Sequence, residues 1–172
     1  MIKVLTTILG CAAFVALGGL AFIYSGIYDV SATTPDNTLV AWVLHKVSDT
    51  SVGARLAANH PPVGLDRPGK ILAGGRLFSE NCTVCHGGPG LDQTAIAKGL
   101  NPVPPDLFRA DRKPDPAENF RFIKYGIKMT AMPGFEQSYS DEQIWSLVAF
   151  LNGLPGISAT DYAAKTDAAN GG

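Results

Sequence analysis

Hydrophobic positions along the chain fall into three patterns, and each predicts a different kind of element. From Val4 to Tyr24 no residue is charged, and Thr6 and Thr7 carry the only hydroxyls before Tyr24. A helix over this run, rising about 1.5 Å per residue, reaches roughly the 30 Å of a bilayer core. Tyr24 and Tyr28 then fall where aromatic side chains anchor a span at the membrane surface. Lys3 on the short leading side predicts that end inside and the rest of the chain outside. A removed leader is the alternative, with Val30-Ser31-Ala32 as a small-residue cleavage site, but its apolar region is ordinarily shorter than this one. Cys11 lies inside the run, with too little apolar sequence ahead of it for a lipoprotein site.

The second pattern starts after a linker. Thr33-Thr34-Pro35-Asp36-Asn37 signals a helix start, and Thr38 to about Leu56 reads as an amphipathic helix. Leu39, Val40, Trp42, Val43, Leu44 and Val47 form its apolar stripe, opposed by His45, Lys46 and Asp49. Such a stripe suits a membrane surface, a partner subunit or packing on the chain's own core, and the sequence leaves these open. His45 and His60 lie in polar surroundings and read as surface histidines. The breakers from His60-Pro61-Pro62 to Pro68-Gly69 mark a domain boundary. The expected organisation is a span over 1–24, a linker with an amphipathic helix over 25–68, a compact domain over 69–156 and a tail over 157–172.

The third pattern is that of a compact all-α domain. Lys70 to Asn81 reads as a helix with Ile71, Leu72, Leu77 and Phe78 apolar and Gly74-Gly75 in its middle. Each glycine costs a helix about 1 kcal/mol relative to alanine, so an adjacent pair calls for a close approach by another helix. The candidate opens at Ser140-Asp141-Glu142-Gln143, a capping box, and carries Ile144, Trp145, Leu147, Val148, Phe150 and Leu151 before Gly153 and Pro155 end it. These two helices are expected to cross, with Trp145 or Val148 against Gly74 or Gly75. Glu118 to Ile127 reads as a shorter helix with Phe120, Ile123 and Ile127 on one side. Ser158 to Lys165 allows a last helical turn, and Asp167 to Gly172 reads as frayed.

Formal net charge is −1, which argues against nucleic acid as a partner. Three cysteines make no disulfide framework. Two of them stand in Cys82-Thr83-Val84-Cys85-His86, the spacing of a c-type haem attachment site. One helical turn sets the two thiols apart by about the distance between the haem vinyl groups, and His86 then projects at the iron. A zinc site wants a second ligand pair, which the chain lacks, and a thioredoxin-like dithiol wants a βαβ setting. Gly87-Gly88-Pro89-Gly90 turns the chain away after the histidine. An iron-bound histidine gives its other ring N–H to an acceptor, and the candidates are carbonyls in the run Asn101-Pro102-Val103-Pro104-Pro105-Asp106-Leu107 or in the loop after Gly87.

A sixth ligand is sought in Lys128-Met129-Thr130-Ala131-Met132-Pro133-Gly134-Phe135. Methionine is a common axial partner that raises the reduction potential. Met132 is favoured because Pro133 fixes the backbone beside it, and Met129 is the alternative. Arg121, Lys124 and Lys128, three and four residues apart, are expected to line one helix face as a basic strip that docks an acidic partner.

On these residues the stretch from Gly69 to Gly156 resembles a class I cytochrome c of the bacterial, membrane-anchored, single-haem kind. The resemblance is carried by Gly74 to Phe78, Cys82 to His86, Pro104 to Leu107, Met132-Pro133 and the aromatic closing helix around Trp145. It implies terminal helices crossing near the motif, a third helix before the methionine loop, one covalent haem c nearly enclosed, and Met132 as distal ligand. The site expected is thus Cys82, Cys85, His86 and Met132, with His86 and Met132 on the metal. Two protein ligands leave no open position for a small-molecule substrate, so the expected role is one-electron transfer rather than enzymatic turnover. The expected partner is a redox protein or a respiratory or dehydrogenase complex, with membrane lipid around residues 4–24. The expected location is the bacterial cytoplasmic membrane, with the haem domain on its periplasmic side. A haem enzyme or gas sensor with a displaceable sixth ligand, or a mainly structural subunit, are the alternative readings.

Overall fold

The protein is described here by a computed structural model covering residues 1–166; the frayed end expected over 167–172 lies outside the described residues. Every regular element among the described residues is helical, as the all-α reading requires. The chain divides into two compact units, Met1–Thr34 and the remainder from Pro35.

In the first unit α1 (Ile2–Tyr24) is one uninterrupted helix, long and apolar enough to cross a membrane. Phe22 and Tyr28 meet edge to face at 6.5 Å just past its end. The turn that follows is held by Asp29, whose carboxylate accepts from the Ser31 hydroxyl and backbone N–H and from the Thr34 hydroxyl. These bonds, the Ser31 hydroxyl first, hold its pKa at about 2.

The second unit begins with α2 (Thr38–Gly53), capped by Asn37, whose Oδ1 accepts from the Leu39 N–H at 2.9 Å. It stops three residues short of the expected end at Leu56. Arg55 leaves helical geometry and a 3₁₀ turn, Leu56–Ala58, follows. Of the three settings open to the stripe, packing on the chain's own core is not the one seen. Leu39, Val43 and Leu44 are exposed, as are Trp42 (62 %) and Val47 (61 %), while Val52 is buried. α2 instead rests against the domain on its narrower, more polar face.

α3 (Pro68–Asn81) starts with Pro68 in its first turn, where a missing N–H costs nothing. It runs into the short α4 (Thr83–His86), and a further short helix, α5 (Ala95–Lys98), is capped by the Thr94 hydroxyl. α6 (Pro116–Tyr125) is capped by Asp115. α7 (Asp141–Leu151) opens on the expected capping box, with the Gln143 N–H donating to Ser140 Oγ and the Ser140 N–H to Gln143 Oε1. Burial of everything from Ile144 to Leu151 makes α7 the centre of the core. α8 (Ala159–Thr166) closes the described chain.

The crossing of α3 and α7 is where the glycines predict it, but the residues opposite differ. A Cβ on Gly74 would strike the Ser146 carbonyl, lying 2.5 Å from its carbon, and would sit 2.9 Å from Phe150 Cβ. Gly75 faces α8 instead, where a Cβ would run into the Lys165 carbonyl. Trp145 is turned the other way and stacks on Phe120 of α6 at 4.2 Å. Tyr162 of α8 joins Phe78, Phe108 and Phe150 in an aromatic cluster, so the last helix is packed on α3.

The basic strip is corrected as well. α6 ends at Tyr125, so Lys128 is not on the helix. Lys124 is drawn inward: its Nζ donates to Asp141 Oδ1 at 2.7 Å, its side chain is 16 % exposed, and it lies over the Phe120 and Tyr125 rings. That hydrogen bond raises its pKa. Arg121 stacks over Tyr125, with its guanidinium 4.9 Å from the ring centre.

Candidate functional site

Folding brings the sequence-predicted residues to one cavity of about 370 Å³ in the second unit. Cys82, Cys85 and His86 line it from the end of α3 and from α4, Met132 from the loop after α6, and Leu147 and Leu151 from α7. The α3–α7 crossing therefore fixes the distance across the cavity.

His86 is held by the proline run. Its Nδ1 lies 3.1 Å from the Pro105 carbonyl. A carbonyl only accepts, so Nδ1 carries the proton and Nε2 keeps a free lone pair. Burial lowers the His86 pKa, opposed by the Pro105 bond and aided by the Arg112 charge. The ring is thus held neutral in one orientation, as a metal ligand would need. Gly87 follows at φ +69°, a conformation that turns the backbone away at little cost only without a side chain.

The loop that carries Met132 is tied down at several points. The Ile127 N–H donates to the Met132 carbonyl at 3.1 Å, and the Met132 N–H to the Thr130 hydroxyl at 3.1 Å. Phe135 and Glu136 return along the end of α6, donating to the Ile123 and Lys124 carbonyls. Gly126 and Gly134 permit this: a Cβ on Gly126 would lie 2.6 Å from the Gly134 nitrogen. Met132 is partly buried in the core cluster and faces the cavity, whereas Met129 is 89 % exposed with φ +65°.

The chemistry of the cysteine pair follows from its burial. Burial first, and Cys85 second, push the Cys82 thiol up to about 12. A redox dithiol ordinarily has its attacking thiol lowered, and burial of Cys82 works in the opposite direction. Among the described residues no three His, Cys, Asp or Glu side chains converge, so the second ligand pair of a zinc site is missing too. What the cavity does carry is a mostly apolar wall with two buried donors, Arg112 Nη1 and Asn119 Nδ2, that have no acceptor. Arg112 Nη2 meanwhile donates to Asn119 Oδ1 at 3.0 Å, aligning the two side chains. An apolar, anionic-edged group such as haem fits this wall: the apolar body faces hydrocarbon and its carboxylates meet the two donors.

Sequence reasoning missed several cavity residues. Arg112 and Asn119 sit in unremarkable polar stretches, and no spacing marks them. His45, Ser48 and Asp49 of α2 also line the cavity, although the apolar stripe points to the opposite face as the packed one. His60 is exposed, as expected.

A helical domain with crossing α3 and α7 beside a Cys-x-x-Cys-His turn defines a c-type cytochrome. Residues 69–151 match the family model described as cytochrome c oxidase, cbb3-type, subunit III. Over that stretch the chain is a cytochrome c domain. The chain is also similar to a quinohemoprotein alcohol dehydrogenase of Comamonas testosteroni, 34 % identical over 86 residues, which are 50 % of this chain and 11 % of that protein. The chain therefore spans only about a tenth of that relative's length. No solved structure matches it.

Proposed function

We propose that this chain is a membrane-tethered one-electron carrier or haem subunit that connects a respiratory or dehydrogenase complex to an oxidase. The observation that carries the reading is one cavity lined together by Cys82, Cys85, His86 and Met132. Cys82 and Cys85 would hold haem c as thioethers, and His86 Nε2 and Met132 Sδ would hold its iron. Such a group would supply a single Fe(II)/Fe(III) couple. The chain's own residues do the rest. Pro105 orients His86, the hydrogen-bonded loop holds Met132 in place, and the core around Phe78, Leu147 and Leu151 excludes water, which favours the reduced state.

Resemblance both to an oxidase subunit family and to a quinohemoprotein dehydrogenase supports a place on an electron path served by such enzymes. α1 is the tether, with Lys3 inside and the haem domain on the periplasmic face. The test is purification of the intact protein from membranes in mild detergent, with a haem stain on the denatured chain and identification of whatever stays bound. A covalently haem-bearing chain with an oxidase or dehydrogenase attached supports the resident-subunit form. A lone haem-bearing chain that membranes reduce rapidly supports the shuttle form. A chain without covalent haem, or one that binds CO rapidly when reduced, overturns the reading.

A further inference from the structure

α2 leaves its apolar residues Leu39, Trp42, Val43 and Val47 exposed, while Ser48, partly buried, and His45 and Asp49, both still open to solvent, line the rim of the cavity. The spacing of these three, with the buried Val52 one turn on, puts them on a single helix face. Among the described residues none of the three is hydrogen-bonded or ion-paired within the chain. Polar side chains at a cavity rim that make no bond within the chain are free to meet the polar edge of a group bound there. The helix packed against α2 is α6, which carries Asn119 with its unpaired Nδ2, bonded in turn to Arg112 with its unpaired Nη1. Two faces with unused hydrogen-bonding groups thus border the same cavity.

We propose that α2, which precedes the family-matched stretch, is a working wall of the haem site. The carboxylate edge of haem lies along the α2–α6 seam, where His45 and Ser48 donate to it from α2 and Arg112 and Asn119 donate from the other side. The proposal rests on the haem reading given above. Asp49 adds a fixed negative charge on the same wall. Donors that spread the carboxylate charge favour Fe(II), and a carboxylate beside them favours Fe(III). α2 is then a device that sets the reduction potential, and His45, Ser48 and Asp49 are positioning and tuning residues rather than ligands.

The test is spectroelectrochemical titration of the full-length holoprotein in detergent, comparing wild type with three variants. Asp49→Asn should raise the midpoint potential, and His45→Leu/Ser48→Ala should lower it. Each shift should be at least about threefold in the Fe(II)/Fe(III) ratio at fixed potential, tenfold being 59 mV for a one-electron couple. Val43→Thr/Val47→Thr, on the solvent face of the same helix, should leave the potential unchanged. Opposite signs separate charge tuning from a merely loosened pocket, which admits water and lowers the potential in both inner-face variants. Unshifted inner-face variants, or shifts of one sign, overturn the proposal while leaving the haem reading intact. Wild-type chain without covalent haem overturns both. If the double variant does not accumulate, the sign of the Asp49→Asn shift decides alone.

Discussion

Gly74→Ala tests the architecture on which the site depends. In an exposed helix the change would stabilise, since alanine exceeds glycine by about 1 kcal/mol in helix propensity. Here the new Cβ would lie 2.5 Å from the Ser146 carbonyl carbon and 2.9 Å from Phe150 Cβ. Ordinary contacts begin near 3.4 Å and the Ser146 carbonyl oxygen lies nearer than its carbon, so α3 and α7 must separate by more than about 1 Å. The obstacle is backbone on a fully packed helix, and no rotamer change relieves it. A gap of 0.5–1 Å forfeits roughly a quarter to a half of the dispersion between facing atoms. Overpacking of this kind costs about 1–3 kcal/mol, and a rigid obstacle puts the cost at the upper end. Net of propensity the loss is about 2 kcal/mol. With a denaturant slope of about 2 kcal/mol/M in urea, the midpoint of the holoprotein should fall by about 1 M, followed by haem absorbance. Gly69→Ala is the control, because a Cβ there meets nothing within 4 Å in the same helix. It should hold or raise the midpoint. A Gly74→Ala midpoint at or above wild type would refute the close crossing and the reading of Gly74 as its cause.

The remaining predictions concern the site and its surroundings. Met132→Leu should lower the reduction potential and let the reduced protein bind CO, while Met129→Leu, on an 89 % exposed side chain, should do neither. Cys82→Ser/Cys85→Ser should abolish haem staining of the denatured chain, the readout of the thioether bonds. Lys124→Met removes a partly shielded ion pair with Asp141 and should cost up to about 1 kcal/mol, less as salt rises. Partner-driven reduction rates should stay near wild type in that variant, because the strip it belonged to is not a free docking face; a large fall at low salt would count against this.

Sequence alone determined the elements whose signals are local. An uncharged apolar run defines α1, Ser140 and Gln143 box the start of α7, and Cys82 to His86 carries its own spacing. The need of His86 for a carbonyl acceptor was legible, but the proline run and the loop after Gly87 stayed equal candidates; folding brings Pro105, 19 residues on, to the ring. The two methionines were separable only in part from Pro133, and burial of Met132 against exposure of Met129 completes the distinction.

Only the tertiary structure decided which residues face each other. The glycine pair announced a close approach, yet Ser146, Phe150 and the Lys165 carbonyl are its neighbours, and Trp145 stacks on Phe120 instead. Lys124 read as a surface charge because nothing local shows that Asp141, 17 residues on, lies beside it. For α2 the sequence left the stripe's partner open, since amphipathicity says which face is apolar but not which face a neighbouring helix and a cavity will take; the structure leaves the apolar face exposed. Periodicity is a property of one element, whereas burial belongs to pairs of elements far apart in sequence. The cavity that joins His45, Cys82, Arg112 and Met132 exists only once those pairs have formed.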